Sequence, residues 1–564
     1  MGPFERDSSE ESTNMRTRHA SHPFASTLVA LAAIAAPARP APANTPAPQN
    51  AASAPPAPAP PPTPESALDA PSGAPLSLSE AVATTLRLHP SILTARAELA
   101  ARRADLGTAR GPFDPLFDAS LSHTHDATPL APASRLVPSE QATITDTTAL
   151  SLGGSAQTTW GMSVSPSVSL QRVYQRPDVF LGPAAPAQDP FQQASVNLAV
   201  VQHLLRGAGW VGAASAIDKA SAAARAAEHT VSFAAQQQAY ATAVAYFQLV
   251  AAGEQVALLR DSAAAANRLV EETKVLVAAD QRPRADLHQL EGNLANRIRG
   301  VLEAETDRSQ ALYALRTAMG LGAAGNPDWH PTNTMPSPAA PPDEQGLIRL
   351  ARRRREDLTA AREIVSSTYS DLRGAEWNTK MNLDVNGSVG YTGMLEKDGV
   401  SPFFAALGRN VPGVSAGVGL SMELPFNNTA RLADRDSKRA FHDEARIAAA
   451  DIERRVPIET MSALAELRLS QAALEASNRA VDDLSLALGD EVDRMHSGVG
   501  TAIDMVLTED RLIQARLART ANHLRYSVAL SRLVFTTGGM PSAPSAVSLA
   551  LEPLSTAEDA NARK

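Results

Sequence analysis

Two stretches of this chain alternate so regularly that they admit one backbone conformation. Met381-Asn-Leu383-Asp-Val385-Asn-Gly387-Ser-Val389-Gly-Tyr391 and Val414-Ser-Ala416-Gly-Val418-Gly-Leu420-Ser-Met422-Glu-Leu424 carry an apolar residue or glycine at every second position. The positions between are almost all small or polar. A strand sends alternate side chains to opposite faces, so one face here is apolar and the other polar. That is the alternation of a membrane barrel with lipid outside and water inside. The pattern recurs upstream, where Phe117, Ala119 and Leu121 oppose Asp118, Ser120 and Ser122. Further strands are expected at Thr147–Leu152, Trp160–Leu170 and Ala194–Val200. The segments around these strands are helical in composition and too polar to enter a bilayer themselves.

Composition narrows the remaining classes. A net charge of -9 argues against nucleic acid as a partner. With no cysteine, disulfides, thiolate catalysis and thiolate metal sites are excluded. Aromatics make up only 4%, and the abundant alanine favours helices packed closely side by side. Arg16, Arg18 and His19 precede the apolar run Phe24–Ala36, and Ala36-Pro-Ala38 offers small residues for cleavage. Residues 1–38 therefore read as an export signal, with Met15 as a candidate start because the stretch before it is acidic. The apolar run falls short of the about 20 residues a spanning helix needs. No later segment is expected to do better, so a membrane would be crossed by strands.

Residues 39–75 are a Pro/Ala-rich linker. After it, one unit is written twice: a first repeat over 76–325 and a second over 343–538, joined by 326–342 and followed by a tail, 539–564. In the first, strands lie within 115–203 and a long helical hairpin within 209–319. In the second, strands lie within 381–424 and the hairpin within 429–537. Ser77-Leu-Ser-Glu80 reads as a capping box, His89-Pro90 as a helix break and restart, and Gly111-Pro112 as a stop. The proline-free run 209–278 predicts a rod of roughly 100 Å, which must pack against parallel rods. Leu93-Thr-Ala95 matches Leu358-Thr-Ala360, Asp105-Leu106 matches Asp371-Leu372, and Asp286 matches Asp504. The first copy carries enough additional sequence before its long helix for one further hairpin.

The helix openings Leu76-Ser-Leu-Ser-Glu-Ala-Val82 and Asp357-Leu-Thr-Ala-Ala-Arg362 have a familiar order and spacing. So do the strand-to-helix junctions Gln202-His-Leu-Leu-Arg-Gly207 and Leu424-Pro-Phe-Asn427, and the tip Met495-His-Ser-Gly-Val-Gly-Thr-Ala-Ile-Asp504. On these residues the chain resembles the TolC family of outer-membrane efflux or secretion channels over about 76–538. The resemblance implies a mixed α and β membrane protein: a homotrimeric transmembrane β-barrel continued by a periplasmic α-helical coiled-coil barrel. It implies a passive exit duct in outer-membrane lipid, served by a periplasmic adaptor and an inner-membrane pump, with no cofactor and no catalytic step. Two or three hairpins cannot close a barrel, and an open edge in lipid is forbidden, so chains must pool strands. Ordinary family members contribute four strands each. The additional hairpin either makes six per chain and eighteen per trimer or folds outside the wall.

The resemblance also implies site residues. Asp504 takes the position of the family's first gate aspartate, Leu507 that of the second, and Gly500 that of a customary arginine. The tips, with Asp280, Arg282, Pro283 and Asp286 in one hairpin and Gly498 and Gly500 in the other, are where the adaptor is expected. Plainer roles compete: Asp504 can simply cap the returning helix, and the glycines fit any tight turn. Gly320-Leu-Gly322-Ala-Ala-Gly325 mimics a dinucleotide loop but follows a helix, so it reads as a helix stop. His123 and His125 share a strand face but make a weak metal site, and Arg352–Arg355 before Glu356-Asp357 reads as a solvated face. No nucleophile motif is present. The alternative class is a periplasmic coiled-coil scaffold or adaptor without a pore, which has no need of two-faced strands.

Overall fold

The computed structural model of the chain describes residues 75–134, 140–179, 190–281, 283–322, 329–339, 342–396, 413–497, 499 and 502–544. A short strand β1 (Pro75–Leu76) leads into α1 (Leu78–Leu88) and α2 (Pro90–Arg110). The Ser77 hydroxyl accepts from the Glu80 amide at 3.2 Å while the Glu80 carboxylate accepts from the Ser77 amide at 3.0 Å, the reciprocal cap its sequence predicts. His89 ends α1 and caps α2, whose first residue is Pro90.

Four strands follow: β2 (Leu116–Pro129), β3 (Glu140–Gln157), β4 (Met162–Val179) and β5 (Phe191–His203). Each extends beyond the span its sequence predicts, and β4 runs past Leu170 through Pro177 to Val179. The rods α3 (Gly209–Ala278) and α4 (Arg284–Ala318) then form the first hairpin. The second unit begins with β6 (His330–Pro331), α5 (Glu344–Arg354) and α6 (Glu356–Asn378). After it come β7 (Asn382–Glu396), β8 (Gly413–Glu423) and the rods α7 (Thr429–His496) and α8 (Ala502–Thr536).

Six strands make one antiparallel sheet in the order β2-β3-β4-β5-β7-β8, so the additional hairpin lies within the sheet. The sheet of one chain is open, with β2 and β8 at its edges. The helices adjoining it pack in the row α2, α3, α6, α7. Asp371 on α6 holds Lys219 of α3 at 2.9 Å and Lys438 of α7 at 3.2 Å, pinning three members of that row.

Within α3 an apolar window reaches mean hydropathy 1.3, more than the sequence reading allows for any segment after residue 36. Yet 56% of that window is buried inside the structure, as befits a core helix rich in alanine. Buried alanines such as Ala235, Ala239, Ala243 and Ala251 let neighbouring rods approach closely. The rod α7 continues through Pro457, a residue that removes a helical hydrogen bond. Packing carries it across: Val456 is fully buried and Glu459 is gripped by Arg355. Gly320, at φ 75°, stops α4 as expected, and a side chain there would press on the His89 backbone at 2.7 Å.

The main core wraps the middle of α3. Leu78, Val82, Leu86 and Ile92 pack on Tyr246, Phe247 and Leu249, with Leu315, Met319, Trp329 and Met335 closing the cluster. Tyr246 is its polar anchor. Its hydroxyl donates to the Leu76 carbonyl at 2.9 Å and accepts from the Asn333 amide at 3.1 Å. Asn333 in turn accepts from the Leu78 amide at 2.8 Å. One phenol thus ties the parallel pair β1–β6 to the rod. Tyr246→Phe should cost about 1–3 kcal/mol, because the buried Asn333 amide loses this acceptor, although the Leu76 carbonyl keeps the Thr332 amide at 3.0 Å. A lowered midpoint of thermal unfolding in detergent is the expected readout, and an unchanged midpoint would contradict the anchoring role.

Candidate functional site

The register of the sheet sorts its side chains. On one face, Phe117, Ala119 and Leu121 of β2 lie opposite Gly154, Leu152 and Leu150 of β3. Leu152 and Leu150 face Val168 and Leu170 of β4, which face Val196 and Ala194 of β5. Leu198 and Val196 face Val389 and Tyr391 of β7, and Val385 faces Leu420 of β8. The result is an apolar band across all six strands. Much of it stands open in the single chain: Phe117 is 77% exposed, Val418 86% and Leu420 68%. So large an apolar surface on one chain marks a contact with lipid or protein.

The other face is lined with small polar groups. Ser120, Ser151, Ser169, Ser195 and Thr392 form one row across five neighbouring strands. The Ser120 and Ser151 hydroxyls lie 2.7 Å apart, and those of Ser169 and Ser195 2.6 Å. Asn386 donates to Ser421 at 3.0 Å on the same face. Alternation at period two, held in register by the ladder, therefore separates a wet side from a greasy one.

The junction with the rods is built from the two motifs that carry the family resemblance. Gln202–Gly207 leaves the sheet through His203, whose ring bonds Asp384 at 2.6 Å, and the Leu204 amide donates to the Leu383 carbonyl at 2.8 Å. Trp377 at the end of α6 donates to the Leu205 carbonyl at 2.8 Å. Gly212 lets that indole approach, since a Cβ there would meet it at 2.6 Å. After Leu424–Asn427, Asn428 takes φ 44° and donates to the Thr379 carbonyl at 2.8 Å.

At the far ends, the first hairpin turns at Asp280, which adopts φ 56° while the Gln281 amide reaches back to the Leu276 carbonyl at 2.9 Å. Pro283 precedes α4, and Asp286 sits in its first turn beside the positive end of the helix dipole. Arg282, Gly498 and Gly500 lie outside the described residues. Asp504 sits in the first turn of α8 and Leu507, 51% exposed, follows one turn later. The two therefore share one end and one side of that helix. His123 and His125 pair with Thr148 and Asp146 across the strand.

Two arginines hold the rods together, and single-sequence patterns point to neither. Arg297 on α4 is buried; it donates to Asn293 at 2.8 Å, Ser262 of α3 at 2.8 Å, Glu509 at 3.0 Å and Asp510 at 2.9 Å of α8. It binds the second hairpin to the first. Arg355, the last of the four consecutive arginines, is also buried and grips Asp357 at 2.6 Å and Glu459 of α7. The expected solvated face is thus limited to Arg352, Arg353 and Arg354. Burial pushes the Arg355 pKa down, yet the hydrogen bonds to Asp357 and Glu459 outweigh it and hold the pKa above the ordinary arginine value. Nothing in the spacing of either residue separates it from exposed arginines on the same helices. Arg297→Met should lower stability by about 2–4 kcal/mol, since it strands partly buried carboxylates. Arg297→Lys should restore only part, because an ammonium cannot reproduce the guanidinium fork. Equal thermal midpoints for lysine and arginine would contradict the clamp.

No protein-family model and no curated protein matches the chain. Solved structures do. The CmeC outer membrane channel of Campylobacter jejuni superposes with a TM-score of 0.57 at 14% identity, covering 85% of this chain and 90% of that one. The outer membrane protein VceC of Vibrio cholerae gives 0.55 at 16% identity, covering 82% and 96%. The MtrE outer membrane channel of Neisseria gonorrhoeae, in its open state, gives 0.55 at 16% identity, covering 82% and 88%. The chain has the mixed α and β fold of these outer-membrane channels, as its sequence resemblance implies for the fold class.

Proposed function

We propose that the chain is an outer-membrane channel, a passive exit duct whose substrates are driven by an inner-membrane pump through a periplasmic adaptor. The observation that carries this reading is the six-stranded sheet with its exposed apolar face and its row of hydroxyls behind. A closed wall made from such sheets would set the apolar band in lipid and the hydroxyls in water. The fold shared with outer-membrane channels of three bacteria supports it. A homotrimer supplies the strands one chain lacks. The rods continue the wall as a periplasmic tunnel, and neither chemistry nor a cofactor is required of it.

In this reading the hairpin ends meet the adaptor, through Asp280, Pro283 and Asp286 with Arg282 on one and Gly498 and Gly500 on the other. Asp504 and Leu507 narrow the entrance near Gly500, and three converging carboxylates would favour cations and repel anions. Two measurements test this. The full-length protein should run as an SDS-resistant trimer from the outer-membrane fraction, and a soluble periplasmic monomer would overturn the assignment. In planar bilayers Asp504→Ala should lower the cation-to-anion permeability ratio. An unchanged ratio would leave Asp504 as a helix cap.

A further inference from the structure

The helices entering the sheet stand four abreast, while the strands stand six abreast. The ends of both rows coincide: β2 continues from α2 at one end, and β8 leads into α7 at the other. The surplus strands β3 and β4 pair along their length with their neighbours, with one irregularity between Glu140 and Ala142, and neither is a flap against the sheet. Their faces match as well, with Leu150, Leu152, Val168 and Leu170 in the apolar band and Ser151 and Ser169 in the hydroxyl row.

Widths decide what six strands do. Strands about 4.8 Å apart and tilted by about 35–45° take about 35–41 Å of circumference for six, and about 23–27 Å for four. Four helices at about 8–10 Å spacing take about 32–40 Å. Six strands therefore match the width of the helical row behind them.

The free ends fit a second copy of this chain. An even number of antiparallel strands makes β2 and β8 run in opposite senses, so β8 of one copy can extend the antiparallel ladder onto β2 of the next. Alongside, α7 exposes Phe441 on one side and Leu432, Ile447, Ile458, Met461, Leu469 and Leu486 on another. At 100° per residue these six fall within about a third of the helix circumference, an apolar stripe at the same end of the row as β8.

We propose that all six strands of every copy stand in the wall, so that three copies close an eighteen-stranded barrel as wide as the tunnel behind it. This inference rests on the channel reading above and adds the class of cargo. With no narrowing at the barrel and a polar face built mostly of serine, threonine, asparagine and glycine, joined by Asp118 and Asp384, the exit passes bulky water-soluble cargo.

The chain has no cysteine, so single cysteines test it in the full-length channel. Ser151→Cys and Ser169→Cys place a thiol on the polar face of the surplus strands, and Ser388→Cys places one on the same face of β7. A sulfonated methanethiosulfonate reagent should lower single-channel conductance at all three. A response at Ser388→Cys alone would put the surplus hairpin outside the wall and overturn this inference while the channel stands. Failure of every variant and of the parent chain to conduct would instead overturn the channel reading on which it rests.

Discussion

A strand edge has nowhere to send its amide and carbonyl groups once it enters hydrocarbon. In the proposed channel that constraint governs how this chain is put together. Its sheet ends at β2 and β8, and the apolar band runs up to both edges, with Phe117 and Leu121 at one and Val418 and Leu420 at the other. A soluble protein would blunt such edges with charge, a bulge or a covering helix. These edges are apolar on one face and polar on the other, as in the interior of the sheet. In the proposed channel they are finished by another sheet of the same kind.

The rods answer a different problem. Alanine packs helices closely but buries little apolar area per residue, so long rods of this composition have a weak grip on one another and an ambiguous register. Sparse polar anchors resolve both. Tyr246 fixes α3 to the paired segments β1 and β6, Asp371 joins three helices beside the sheet, Arg297 binds the first hairpin to the second, and Arg355 holds α7 to the α5–α6 junction within the second half. Each anchor is satisfied at several points, which makes its position costly to shift. The same feature accounts for α7 passing through Pro457, because neighbours on both sides of the proline are already held.

The strands and rods are legible in the sequence because their periods are simple. Residues 414–424 alternate without error, and the rod from Gly209 to Ala278 contains no proline. Strand ends are less legible: β4 carries its ladder through Arg176 and Pro177, where composition points to a loop, because pairing with β3 overrides local preference. Whether the additional hairpin joins the sheet depends on long-range pairing that no local pattern encodes. The site residues divide in the same way. Asp504 and Leu507 are proposed by matching a family motif, while Arg297 is invisible because its carboxylate partners lie more than two hundred positions away.

The central claim is that the sheet separates lipid from water, and spin labels on single cysteines read that directly. Labels at Val385, Val389, Val418 and Leu420, in the reconstituted channel, should be relaxed by molecular oxygen, which concentrates in lipid. Labels at Asn386, Ser388, Ser415 and Ser421 should be relaxed by a water-soluble nickel chelate. Equal access of the chelate to both sets would contradict the account, since it would place both faces of the sheet in water.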